Sequence, residues 1–335
     1  MGRNLSGVGV YCRRLLWGLA ESHPEDRLFF CYRSHRFVRG LRDRVPGNVR
    51  RRLLAPLVAP TGAGLFHALN QRVPPARFRH LVVTFHDLFV MTGEYSSPDF
   101  RARFAEQARM AASQADLFIC VSAFTGRQLT SLLGVDKSRV RIVPHGVEMP
   151  ALEYRTALRR EPIVLHVGAI QKRKNIVRLV RAFEHLPPPW RLVLAGSPGY
   201  DAGEALRAVE ESPARERIEI RGYVEDAALR HLYATASILA FPSLDEGFGI
   251  PVLEAMAWGI PVVTSNGSSL PEIAGEAALL VDPVRTDDIA NALLRLSTDD
   301  DLRHRLIQCG LQQAECYTWK AAVERTRAVY LELVS

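Results

Sequence analysis

No stretch of this 335-residue chain reaches the ~18 uninterrupted apolar residues that a membrane-spanning helix requires. Its first residues, MGRNLSGVGVYCRRLLWGLAESHPED, lack the apolar core and small-residue cleavage site of a secretory signal. Cysteine is scarce, with five residues (Cys12, Cys31, Cys120, Cys309 and Cys316), an odd number that includes no CxxC. A disulfide framework is therefore not expected; Cys31 and Cys120 lie in apolar, strand-like runs and read as small buried hydrophobes. The expected location is a reducing cytoplasm, with the inner face of a membrane as a peripheral option. Metal-ligand spacings of the HExxH or paired-CxxC kind are missing, so no metal is expected. Asp299-Asp300-Asp301 satisfies a D-x-D search but stands between two predicted helices, where capping is the expected role. Helix-turn-helix, zinc-finger and RNP-like aromatic motifs are also missing, which argues against nucleic acid as a partner.

Lysine is confined to positions 137, 172, 174 and 320, so arginine carries most of the positive charge behind the net +7. The charge is uneven. Residues 1–160 hold 25 Lys and Arg against 12 Asp and Glu, and residues 161–335 hold 18 against 24. An acidic partner is thus suggested for the first half alone. Apolar residues make up 47% of the chain, which excludes disorder as its main state. Short apolar runs alternate with helical patterns through most of the length, the signature of parallel α/β architecture. Strands are predicted at 27–32, 81–85, 117–121 and 140–143, then at 163–167, 191–195, 217–221, 238–241, 261–264 and 278–281. Helices are predicted at 8–20, 98–114 and 123–133, then at 175–186, 203–211, 226–235, 251–258, 269–274 and 286–297, with two more in 300–334.

The expected organisation is a first domain over 1–150, a proline-bearing linker at 151–162, a second domain over 163–300, and terminal helices at 301–335 that can pack back on the first domain. Two doubly wound, Rossmann-like domains facing a central cleft is the architecture these patterns favour. Ligands of such folds sit outside the carboxyl ends of the strands.

Chemistry concentrates in LDEGFGIPVLEAMAWGIPVV, residues 244–263. A predicted strand ends at Pro242, a loop carries Asp245, Glu246, Gly247, Phe248 and Gly249, and a helix starts at Pro251, where proline is well suited. Glycines before a helix let backbone amides approach an anionic ligand at the positive helix end. Glu246 in the loop and Glu254, expected in the first helical turn, could accept hydrogen bonds from two hydroxyl-rich parts of one ligand. A plain dipole-complementing role for Glu254 explains it equally well.

This E-x7-E segment resembles the retaining nucleotide-sugar glycosyltransferases of family 4, which have the GT-B fold. VGAIQKRKN (167–175), TFHDL (84–88), CVSAFTG (120–126), RIVPHGV (141–147) and SGVGVY (6–11) are similar to further landmarks of that family, in its order. The resemblance implies transfer of a hexose, of mannose or glucose type, from a nucleotide-diphosphate sugar to an acceptor hydroxyl in polysaccharide or glycolipid assembly. It implies no cofactor beyond the donor itself, and an acceptor that is a carbohydrate or lipid-linked.

Carried over by position, Glu254 would hold the ribose hydroxyls and Glu246 those of the transferred sugar. The amides of Gly247, Phe248 and Gly249 would face sugar and diphosphate, joined by a glycine-rich loop at Gly7 and Gly9. Arg173 and Lys174 would stabilise the departing diphosphate. His86, just past an apolar strand, would lie at the sugar's reacting face with Asp87 beside it, while Tyr223 and Val224 would sit near the base. For Arg173-Lys174 a solvated helix start is the bland alternative, with Asn175 as its cap; for His86 it is a histidine satisfied by backbone. His145 and Ser122 read as structural.

Two departures from the family stand out. Ala169 follows Gly168 where many members carry arginine. No apolar run precedes Gly7, where the family has its central first strand. MGRNL is too short and polar to replace it, so an N-terminal truncation is expected. The arginine-rich segment 33–44 is expected to be a solvated face, with an anionic membrane surface as the alternative. Rival functions are a nucleotide-sugar epimerase of the same fold and a non-catalytic carbohydrate-binding scaffold. An oxidoreductase is disfavoured because no GxGxxG follows a strand.

Overall fold

The computed structural model describes residues 7–54, 62–156 and 159–334. The expectation about residues 1–5 lies outside them. The chain divides into two compact units: one comprising 1–91, 102–146 and 318–335, the other 92–101 and 147–317.

In the first unit α1 (Gly7–Ser22) leads into β1 (Leu28–Arg33), α2 (Ser34–Gly40) and β2 (Val49–Leu54). Gly7 and Gly9, expected in a loop, form the first turn of α1 instead. Strands β1 and β2 pair in parallel as a two-stranded sheet. The second of these was not legible, because VRRRLL has no apolar alternation. Two of its three arginines are held by their surroundings: the Arg52 guanidinium lies 3.9 Å from the Phe29 ring centroid, and Arg51 donates to the Gly40 carbonyl.

A four-stranded parallel sheet follows, in the order β3 (Phe66–Ala68), β4 (Leu81–Phe85), β5 (Leu117–Cys120), β6 (Val140–Ile142). Every residue of β4 and β5 is buried, as befits parallel strands covered on both faces. The short helix α3 (Phe89–Thr92), α4 (Pro98–Gln114) and α5 (Ala123–Leu133) intervene; Ser122 caps α5 by accepting from the Thr125 amide.

After α6 (Leu152–Thr156) the second unit alternates without interruption: β7 (Glu161–Val167), α7 (Ile176–Phe183), β8 (Arg191–Ala195), α8 (Gly203–Glu210), β9 (Ile218–Gly222), α9 (Asp226–Thr235), β10 (Ala236–Phe241), α10 (Ile250–Ala257), β11 (Val262–Ser265), α11 (Leu270–Ala274), β12 (Ala278–Val281), α12 (Thr286–Thr298) and α13 (Asp300–Glu315). Its six strands are parallel, in the order β12-β11-β10-β7-β8-β9. Val164 of β7 joins Leu192, Leu194, Ile238, Val263 and the inward faces of α7 and α12 in one core.

The Asp299 side chain accepts from the Leu302 amide, so the triple aspartate caps α13. The last helix, α14 (Trp319–Val334), belongs to the first unit, where Val323 packs with Tyr11, Leu15 and Leu19 of α1. The 301–335 stretch, read as one piece, is thus shared between the units.

The strand order locates a site. Sequence order runs outward from β7 in one direction through β8 and β9, and in the other from β10 through β11 and β12. Between β7 and β10 the connections therefore diverge to opposite sides, and loops leaving their carboxyl ends part to form a crevice.

Candidate active site

The loops at that switch point carry the basic pair and the first glutamate. After β7 the chain makes a 3-10 turn at Lys172–Lys174, and Asn175 adopts φ 60°. Asn175 stands at the expected N-cap position of α7, where its carbonyl accepts from the Leu179 amide, but its side chain makes no capping bond. The side-chain amide instead donates to the carbonyls of Pro242 (3.0 Å) and Pro283 (2.6 Å). The Leu244 amide donates to the Arg173 carbonyl at 2.8 Å. These bonds tie the loop after β10 to the turn after β7.

Within this frame Arg173 Nη1 lies 2.8 Å from Glu246 Oε2, and Lys174 Nζ lies 2.6 Å from Glu246 Oε1. All three side chains are at most 10% exposed, so the solvated reading of Arg173-Lys174 does not hold. Arg173 also donates to the Asp245 carbonyl, and the Lys174 ammonium stands 4.3 Å from the Phe241 ring centroid. Burial pushes the Glu246 carboxyl pKa up, but the two cations more than offset this and bring it down to about 2. Glu246 is a carboxylate at every physiological pH.

Glu254 is placed differently from expectation. Helix α10 begins at Ile250, so Glu254 falls in the second turn and no acidic residue occupies the first. Its Oε2 accepts from the Tyr233 hydroxyl at 2.7 Å, and burial raises its pKa. Tyr233 in turn stacks with Trp258, and Arg160 holds the ends of α9 and α10 by donating to the Tyr233, Ala236 and Trp258 carbonyls. The two glutamates of one motif thus have opposite environments: one charged between cations, the other beside a phenol.

Between them, Gly247, Phe248 and Gly249 are buried, and Gly249, at φ 105°, provides the turn into α10 that a side chain would strain. Tyr223, half exposed, and Val224 follow the carboxyl end of β9.

His86 belongs to the first unit, immediately after β4. Its Nε2 lies 2.9 Å from the Leu69 carbonyl and must donate to it, which leaves Nδ1 as an acceptor facing His145 Nε2 at 3.4 Å. Burial brings its pKa down to about 4, so the ring is neutral at physiological pH. Tyr11 packs edge-on against both imidazoles. Both ring nitrogens are therefore engaged within the unit. A ligand contact through nitrogen would have to replace the longer bond, that to His145.

Residues 5–149 match the family model described as Glycosyltransferase Family 4, and residues 154–313 match Glycosyl transferases group 1. The O-antigen chain mannosyltransferase B of Escherichia coli is 32% identical over 282 residues, 79% of this chain and 74% of that protein. The chain belongs to the GT-B glycosyltransferases. Solved structures agree on the fold of this glycosyltransferase. Sucrose-phosphate synthase from Thermosynechococcus elongatus superposes with a TM-score of 0.79 at 23% identity, covering 98% of this chain and 94% of that one. Anabaena HepE, solved in complex with UDP and glucose, gives 0.74 at 17% identity, covering 99% and 97%.

Several residues that shape the glycosyltransferase site carried no signal in the sequence. Ser265 donates to the Ser243 carbonyl (2.6 Å), and Ser269 donates to the Glu246 (2.8 Å) and Phe248 (3.0 Å) carbonyls, fixing the loop that bears Glu246. Asp245, buried and with its pKa raised by burial, accepts from the Thr92 hydroxyl at 2.8 Å. These partners lie between 21 and 153 residues apart, and only the fold brings them together. Of these, Asp245 alone stands in the loop read from the sequence, as the carboxylate preceding Glu246, and nothing in the sequence assigns it a role there.

Proposed function

We propose that this glycosyltransferase moves a hexose of mannose or glucose type from a nucleotide-diphosphate sugar to an acceptor hydroxyl, with retention of anomeric configuration, in polysaccharide or glycolipid assembly. The observation that carries this reading is the buried Arg173–Glu246–Lys174 group at the switch point between β7 and β10. Likeness to an O-antigen chain mannosyltransferase supports a hexose and a glycan product. The UDP and glucose held by a neighbour of the same fold support a nucleotide-sugar donor.

In this reading the donor lies on the second unit. Glu254 receives ribose hydroxyls, Glu246 receives hydroxyls of the transferred sugar, and Tyr223 and Val224 border the base. As the anomeric bond breaks, negative charge develops on the diphosphate oxygen. Arg173 and Lys174, already held in place by Glu246, meet that charge without reorganising. The departing diphosphate takes the acceptor's proton on the same face, so neither a protein nucleophile nor a metal is required by the scheme. His86, neutral, lines the acceptor side.

The test is transfer from GDP-mannose or UDP-glucose to an oligosaccharide acceptor, with the new anomeric proton coupling read by NMR. Retention is expected. An inverted product would contradict the mechanism, and sugar released as an epimer without acceptor would favour the epimerase.

Glu254→Ala is expected to weaken binding of the free nucleotide by about 1–3 kcal/mol, because the ribose would lose a carboxyl hydrogen-bond acceptor. Titration calorimetry with GDP and UDP measures this, and equal affinity in wild type and variant would remove the ribose assignment.

We further propose that an anionic membrane surface presents the acceptor to the first unit. Arg42, Arg44 and Arg50 are exposed there, as are Val38 (69%) and Leu41 (54%), while the side chains of Arg36 and Arg39 lie outside the described residues. Co-sedimentation with vesicles is expected to require anionic lipid and to fall with salt. Equal binding to neutral vesicles would contradict the idea.

A further inference from the structure

His166, near the carboxyl end of β7, has no role in the site built so far. It is fully buried in an otherwise apolar stretch of the strand. Its Nδ1 lies 2.9 Å from the Ala240 carbonyl on the neighbouring strand β10 and must donate to it. The ring is thereby fixed as the Nδ1–H tautomer, with a lone pair on Nε2. That nitrogen is buried and meets no hydrogen-bond partner among the described residues. Such a group is costly to leave unsatisfied, so its presence calls for an explanation.

Two neighbours indicate one. Gly168, at φ 143°, has no side chain where a methyl carbon would lie 3.2 Å from Lys174 Cε, 3.5 Å from Lys174 Nζ and 3.7 Å from His166 Nε2. The glycine keeps side-chain atoms out of a position that lies near both the ammonium and Nε2; an atom seated there needs the flexible Lys174 stem to give by a few tenths of an ångström. Phe241 backs the same position, stacking on the His166 ring at 5.6 Å and lying beneath the Lys174 ammonium.

The chemistry of this pair is selective. An oxygen placed there can accept a hydrogen bond from Lys174, but to satisfy His166 it must also carry a hydrogen to donate. An ionised phosphate oxygen would set lone pair against lone pair. A hydroxyl meets both demands.

We propose that His166 and Lys174 together bind one hydroxyl group of the transferred sugar beside Gly168, making His166 a determinant of donor specificity. This rests on the nucleotide-sugar reading above and adds a residue and a ligand group to it. Lys174 has three N–H donors, so a bond to this hydroxyl is compatible with its bond to Glu246 and with contact to the diphosphate.

Two substitutions isolate the acceptor. In His166→Asn the side-chain amide can still donate to Ala240, but nothing reaches the Nε2 position. In His166→Gln a carbonyl oxygen can reach it. Both lose the packing of the ring, so their difference reports the acceptor and not the cavity. Affinities are measured by calorimetry for GDP-mannose against GDP and for UDP-glucose against UDP. Wild-type binding of either pair tests the nucleotide-sugar reading; the variants' ratios test His166.

His166→Asn is expected to bind the nucleotide sugar about tenfold more weakly while binding the nucleoside diphosphate as before, and His166→Gln to recover most of the loss. In wild type the ¹⁵N shift of His166 Nε2 is expected to move on adding the nucleotide sugar and not on adding the diphosphate alone. Equal loss for sugar nucleotide and diphosphate, no loss for either, or a ¹⁵N shift indifferent to the sugar would each overturn the proposal.

Discussion

Glu246→Ala is expected to cost about 3–5 kcal/mol of folding stability and to abolish sugar transfer. The stability loss follows from what remains: Arg173 and Lys174 would keep their charges in a site where each is under 10% exposed, with their carboxylate gone. Denaturant melts measure it. Replacing all three residues at once with apolar side chains of similar volume is expected to restore most of the stability, since no buried charge is then left unpaired. Activity should not return. That divergence separates the group's contribution to folding from its contribution to chemistry. A single Glu246→Ala variant that melts with wild type would show that water reaches the two cations, contrary to the structure.

The same group sets an acid limit on stability. The Glu246 pKa, about 2 in the folded chain, lies below its ordinary 4.5. Its stabilising contribution is therefore complete above about pH 4.5 and is lost as pH falls toward 2.

Lys174→Met is expected to lower the turnover number by about 10²-fold while leaving the protein folded. Arg173 remains as counter-charge to Glu246, so only one of the two ion pairs is lost, and the methionine stem still covers Phe241. What disappears is a preorganised cation where the diphosphate charge develops. The loss should appear in the turnover number more than in the affinity for the nucleotide. Unchanged turnover in a folded variant would reduce Lys174 to a structural partner of Glu246.

The second unit was the more legible half. Its strands 191–195 and 278–281 and helix 226–235 read correctly to the residue, because each is a continuous apolar run or a strong 3.6-residue repeat bounded by turn residues. In the first unit β2 was lost among consecutive arginines, of which Arg51 donates to the Gly40 carbonyl and Arg52 lies over the Phe29 ring, and β3 is only three residues long. The glycines at 7 and 9 suggested a loop, yet they start α1.

For the site, the strand and helix pattern placed Glu246 on a loop at a strand end and the family resemblance added Arg173 and Lys174, but neither could show that the three meet; that depends on the divergence of chain order between β7 and β10. Nor could it distinguish the two glutamates. The contrast arises from Tyr233, on a different helix, and from Lys174 and its neighbour Arg173, the former 72 residues before Glu246. Nothing in the sequence marks His166 within the predicted strand 163–167, because only the fold shows that its Nε2 is left without a partner among the described residues.

The central claim is that the second unit is a nucleotide-sugar site. Thermal or denaturant unfolding with a panel of nucleotide-diphosphate sugars tests it most directly. At about 100 times its dissociation constant, the true donor should add roughly 2.7 kcal/mol to wild-type stability. The account predicts such a gain with at least one donor, reduced in the Glu254→Ala variant. A wild-type protein that gains nothing from any nucleotide sugar would contradict it.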